Sequence, residues 1–313
     1  METRFPNLSA VVLTSALLTL TAGSTQAQVK TVAERLGYPA DAKLLIIHAD
    51  DLALAHSADA ASFAALDQRA ATSASVMVPC PWLTEVAAYA KAHPDADLGI
   101  HTTLTSEWET YRWGSVASRD QVPSLLDPGG YLWADVAGAM NHMKPEEAER
   151  EVRAQVERAL QAGIRPTHLD NHMGTLLTNP ALLAVYLKVA REYRLPFLAV
   201  RMPNLPTTML SMLKDTDIVL DALVFPRHGL RPEEWGEGYL EVIRNLKPGL
   251  NQLIVHLGYD DAELQAITVN HPDFGAAWRQ RDFNVITSPE FKEALEENHV
   301  ILIGWKDLKK LLP

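Results

Sequence analysis

The sequence predicts an α/β fold whose parallel strands close into an irregular (β/α) barrel, and three observations predict it. Short apolar, often β-branched runs recur at 44–49, 74–79, 98–104, 197–200, 218–225, 252–257 and 300–305. Segments with helical spacing separate them at 58–70, 83–92, 145–162, 180–193, 232–246 and 289–298, and strands alternating with helices of this length build βαβ units and a parallel sheet. Histidines and acids, finally, gather where the apolar runs end, the face on which barrels of this kind assemble their sites.

Along the chain, the first segment has Arg4 ahead of an apolar run over 10–22, then small and polar residues closing on Thr25-Gln26-Ala27. That outline predicts a signal peptide over 1–27, a mature single domain over 28–313, and a secreted or periplasmic location with no membrane contact after cleavage. LLIIHA begins the barrel. After LGIHTTL, the stretch 105–143 is rich in Trp, Tyr, Gly and Pro and reads as an excursion above it. Three later helices open at a proline with acids in the first turn, as in PEEAEREV, PEEWGEG and PEFKEALEE. About seven strands suit a barrel better than an open doubly wound sheet, and no GxGxxG turn follows the first strand to support a dinucleotide site.

Composition narrows the function. Of 313 residues, 47% are hydrophobic, enough for a full core, and 28 basic against 39 acidic residues give −11. The leader carries only Glu2 and Arg4, so the mature chain keeps that charge. With no Lys/Arg cluster, neither nucleic acid nor an anionic membrane is an expected partner. A small molecule or an oligosaccharide is, and a homodimer is compatible with the sequence. Cys80, the single cysteine, has neither a second thiol nor a base in MVPCPW and reads as a buried hydrophobe.

His48, His101, His168 and His256 lie at or near strand ends, with Asp50 and Asp51 beyond the first and Asp170 and His172 beyond the third. In HADD, two adjacent carboxylates leaving a strand point to different sides, so that one can ligate a cation while its neighbour faces water; a helix N-cap is the competing reading. In THLDNH, an extended backbone puts His168, Asp170 and His172 on one face. His101 interrupts an apolar strand and costs burial free energy unless it is bonded or ligated. Together the three motifs supply an Asp and two His, a facial set with open positions. His56, His93, His142, His228, His271 and His299 read as solvated. Trp108, Tyr111, Trp113, Tyr131 and Trp133 are candidates to stack on sugar faces, with Glu107 and Arg112 bonding hydroxyls, or else simply anchor the long loop.

LLIIHADD, LGIHTTLT and RPTHLDNHMG, in that order and spacing, resemble the YdjC-like (ChbG/HpnK) carbohydrate deacetylases, and ATSASVMVP, QLIVHLGY and RQRDFNVITSP extend the resemblance over 43–308. It implies the deacetylase barrel, a divalent ion on Asp51, His101 and His172, Asp50 as base, His256 as acid, and Arg279 among the substrate contacts. Zinc, nickel or cobalt suits two imidazoles, while a carboxylate and water-filled positions admit magnesium. The implied activity is removal of an N-acetyl group from a sugar. A metal-dependent esterase or amidase, and a non-catalytic carbohydrate-binding protein, are the alternatives. Where the family has ADDFG this chain has Asp50-Asp51-Leu52-Ala53, where it has DSHxH this chain has DNHMG, and Leu257 stands where proline is common.

Overall fold

The computed structural model describes residues 30–201 and 207–312, so the expected leader lies outside the described residues. Seven strands form the sheet: β1 (Lys43–Leu52), β2 (Ser73–Val76), β3 (Leu98–Thr102), β4 (Leu169–Asn171), β5 (Ala222–Val224), β6 (Gly249–His256) and β7 (Val300–Leu302). All pairings between them are parallel, in the order β4-β3-β2-β1-β6-β5. β6 covers one edge of β1 from Lys43 to Asp50. The other edge is shared, β7 taking Lys43–Leu45 and β2 taking over at His48.

The run 197–200 is not a regular strand. It bridges β4 through Leu169↔Phe197 and Leu220 through Val200, one residue on each side, and these bridges carry the curled sheet round into an irregular barrel. The stretch 218–225 likewise shortens to Ala222–Val224, while THLDNH supplies β4. Helices open at Pro145, Pro180 and Pro289. At Pro232 the first turn is 3₁₀ and the helix proper is Trp235–Arg244. No helix among the described residues is long and apolar enough to cross a membrane.

Strand alternation sorts the core into two bodies. Leu45, Ile47, Ala49, Leu253 and Val255 face the surrounding helices. Leu44, Ile46 and Leu250 turn the other way, into a smaller cluster with Leu198 and Leu220. Two helices floor that cluster: Ala33 comes from Val32–Arg35, and Trp305 and Leu308 from Trp305–Lys309. The inward column of β1 therefore reads Leu44, Ile46, His48, Asp50, apolar at the floor and polar toward the strand ends.

Above the floor several buried polar side chains bond one another, His48 reaching Ser73, Ser75 and Asp170. His168 stacks on Trp305, ring centroids 4.9 Å apart. A Cβ on Gly99 would meet the His168 ring at 2.3 Å, so β3 passes His168 only because it lacks a side chain there. Gly99→Ala should therefore cost about 1–3 kcal/mol through overpacking, read as a lower melting temperature. An unchanged melting temperature would show that the ring can yield.

Candidate metal centre

The site forms where β1 stops alternating. Its pairing with β2 slips between Ala49 and Leu52, and Asp51 takes φ 70°, a left-handed value that costs a non-glycine residue about 1–3 kcal/mol. This corrects the expectation that Asp50 and Asp51 point to different sides. The twist brings both to one imidazole: Asp51 Oδ1 is 3.4 Å and Asp50 Oδ2 3.8 Å from His101 Nε2.

Three expected ligands converge. Asp51 Oδ1, His101 Nε2 and His172 Nδ1 form a triangle with sides of 3.4, 3.5 and 3.3 Å. A tetrahedral face drawn with bonds of about 2.0–2.2 Å has edges of about 3.3–3.6 Å, so the donor set fits a single divalent ion. Asp51 Oδ1 is buried without a hydrogen-bond partner, the orphaned acceptor that such an ion would satisfy.

The outer atom of each of these three residues is held by a charged partner. His101 Nδ1–H donates to Asp170 Oδ1 (2.8 Å), His172 Nε2–H donates to Glu107 Oε2 (3.0 Å), and Arg279 Nη2 donates to Asp51 Oδ2 (2.7 Å). Such partners fix the tautomer and aim the free nitrogen inward. Burial pushes the Asp51 carboxyl up, but Arg279 and the two imidazoles outweigh it and hold it well below the usual range. Burial likewise opposes protonation of His172, yet Glu107 and Asp51 raise it to about 9, and Asp170 and Asp50 raise His101 well above the ordinary imidazole value. Negative charge around both imidazoles thus favours a cation between them, whether a proton or a metal.

Asp50 and His256 complete the cluster from adjacent strands, in register as a pair, with His256 Nε2 3.9 Å from Asp50 Oδ2. Burial pushes the Asp50 carboxyl above the usual carboxylate range, and Asp170 and Asp51 add to it, against His101 and His48. Burial lowers His256 to about 3, leaving a neutral imidazole. Asp282, missed as a site component, and His48, read only as a strand-end histidine, support this pair. Asp282 Oδ2 accepts the His256 backbone N–H (3.1 Å) while its Oδ1 accepts from Trp235 and Tyr239, its only sequence signal being the acid in RQRDFNVITSP. His48 donates to Asp170 Oδ2 (2.8 Å) from beneath, with Nε2 3.3 Å from Asp50 Oδ1.

The expected substrate contacts sort differently. Arg279, expected as a substrate contact, is 1% exposed and bonded to Asp51 and to the Phe274 carbonyl, so it holds Asp51 from behind. Glu107 is engaged by His172. Trp108 is buried against His271, with the Arg279 guanidinium 6.0 Å from its ring centre. Arg112 ties the excursion together through Ser106, Asp127 and the Leu132 carbonyl. Trp113 and Trp133 donate to loop carbonyls and Tyr111 to the Leu54 carbonyl, which anchors the loop; Tyr131 remains exposed. Of the histidines expected to be solvated, His56 pairs with Glu85 and His142 stacks on Trp133.

Fold and cluster define a (β/α)-barrel protein with an acid and imidazole centre at its strand ends. The comparisons sharpen that class. Residues 44–297 match the family model described as YdjC-like protein, and the chain belongs to that family of carbohydrate deacetylases. It is 32% identical over 291 residues to a carbohydrate deacetylase of Thermus thermophilus, covering 89% of this chain and 98% of the relative. A carbohydrate deacetylase of Brevibacillus brevis is 29% identical over 266 residues, covering 84% and 99%. Among solved structures, a candidate cellobiose-phosphate cleavage protein of Enterococcus faecalis superposes with a TM-score of 0.72 at 26% identity, over 85% of this chain and 99% of that one.

Proposed function

We propose that this chain is a metal-dependent hydrolase that removes an N-acetyl group from a sugar or oligosaccharide, with Asp50 as general base and His256 as general acid. The observation that carries the reading is the donor triangle of Asp51, His101 and His172, backed by Arg279, Asp170 and Glu107, with Asp50 beside it. A divalent ion on those three donors would supply Lewis acidity, which makes water acidic near neutral pH and polarises an acyl carbonyl. Zinc, nickel and cobalt suit the imidazoles, and magnesium the carboxylate.

The remaining steps belong to side chains. Asp50 Oδ2 takes the proton from the attacking water. His256 rests neutral, so its proton must arrive during the reaction; negative charge developing on the acyl oxygen raises its affinity, and Asp50 Oδ2, 3.9 Å away, holds the proton just abstracted. Delivery to nitrogen matters because an amine leaves poorly unless protonated. The leader-like sequence at 1–27 supports action outside the cytoplasm.

Acetate release from N-acetylated amino sugars, with each of the four metals and with a chelator, tests the reading. No release with any metal would refute it. His256→Gln should slow hydrolysis of the acetamide on the order of a hundredfold and an activated aryl acetate far less, since an aryloxide leaves without a proton. Equal slowing of both, with a lower melting temperature, would make His256 a packing residue.

A further inference from the structure

Among the described residues, eight non-glycine positions have a left-handed backbone and eight large apolar side chains are exposed, and only Met173 and Phe274 belong to both sets. A single exposed apolar side chain is ordinary, but a left-handed backbone is costly for a side chain of this size, and strained backbone tends to collect at functional sites. Both residues flank the metal centre. Met173 directly follows the ligand His172, and its φ of 53°, with Gly174 at 69°, belongs to the kink that aims His172. Phe274 follows no ligand, so its strain needs another reason.

The surroundings of Phe274 supply one. The residue is 44% exposed, and its ring lies edge to face with His256, centroids 4.8 Å apart, and tilted on Trp278 at 4.8 Å. Its carbonyl accepts Arg279 Nε (2.6 Å) from the same guanidinium whose Nη2 holds Asp51 (2.7 Å). Gly275 makes the turn tight, since a Cβ there would meet the His271 carbonyl oxygen at 2.1 Å. A turn residue at φ 60° would ordinarily be Gly, Asn or Asp. A phenylalanine there sets a partly exposed aromatic side chain beside His256, its backbone held by the guanidinium that also holds Asp51.

We propose that Phe274 is the stacking platform for substrate, receiving the apolar C–H face of the sugar ring while the N-acetyl group extends to Asp50 and His256. The assignment rests on the deacetylase reading and adds to it the residue that selects a ring-bearing substrate over a bare acetamide. Aromatic faces suit the axial C–H surface of a pyranose because the ring quadrupole is negative there.

The test compares Phe274→Gly, which relieves the left-handed strain, with Phe274→Trp, which keeps an aromatic face, in the metal-loaded protein. The probes are an N-acetylated amino-sugar monosaccharide and its disaccharide. The glycine variant should melt at or above the wild-type temperature, keep its metal, and raise KM on the order of tenfold with kcat changed little, and tryptophan should restore most of the loss. KM within twofold of wild type in Phe274→Gly overturns the platform, whatever happens to kcat; a fall in kcat with a displaced pH profile would instead make the ring a shield for His256. Calorimetric binding of the same sugars separates this from the parent reading. If the wild type binds them without releasing acetate and Phe274→Gly does not bind, the platform stands and the deacetylase reading falls; if the wild type neither binds nor cleaves them, both fall.

Discussion

Asp50→Asn is expected to keep the metal and the melting temperature while losing about two to four decades of turnover, the usual size of a general-base contribution. The amide preserves shape but cannot accept a proton. Asp50 is suited to the role because burial raises its carboxyl above the usual range, which makes it a better proton acceptor than an exposed aspartate, without a direct bond to Arg279 to quench it. The sign of the pH dependence follows. Below its raised pKa the carboxyl is protonated and cannot serve as base, so activity should climb as pH rises through that range and level off above it. Asp50→Asn should remove this acid limb along with the rate. Turnover within a few fold of wild type would move the base elsewhere, with Asp170 the remaining carboxylate against His101.

Much of the centre was legible because chemistry interrupts hydrophobicity. His101 stands inside an apolar strand and HADD ends one, and neither placement is tolerable without partners. β4 was harder to read as a strand, because its inward residues are polar and bond His101 and His48, so the apolar signature of a buried strand is missing. The opposite error arose at 197–200, where apolar residues bridge two different neighbours and extend neither ladder. The roles of the second tier were invisible for a different reason. Arg279 meets Asp51 across 228 residues and Glu107 meets His172 across 65, and no local pattern distinguishes an arginine aimed at a carboxylate from one aimed at a sugar. Nor does an aspartate announce a left-handed backbone; Asp51 adopts one because the neighbouring bonds over-determine it.

On the proposed function, loss of either imidazole should leave the centre without an ion: His101→Ala and His172→Ala are each expected to come through dialysis without a bound ion, because two protein donors cannot hold what three do. The consequence extends past the missing nitrogen. Removing His101 strips Asp170 Oδ1 of its donor and removing His172 strips Glu107, so each variant leaves a carboxylate that the imidazole had satisfied. Metal uptake by the wild type should also depend on pH in a defined direction. His172 in the metal-free protein keeps its proton up to about 9, and a metal must displace a proton to bind, so affinity should rise with pH toward that value. The same raised value acts on the metal-free fold with the opposite sign: its stabilising contribution is fully present below the ordinary imidazole pKa and is lost as pH rises through about 9. Metal-loaded protein should therefore gain most over metal-free protein on the alkaline side. Metal analysis of dialysed wild type and both variants, with melting curves at acid and alkaline pH, checks each part, and full occupancy in either variant would take that histidine out of the ligand set.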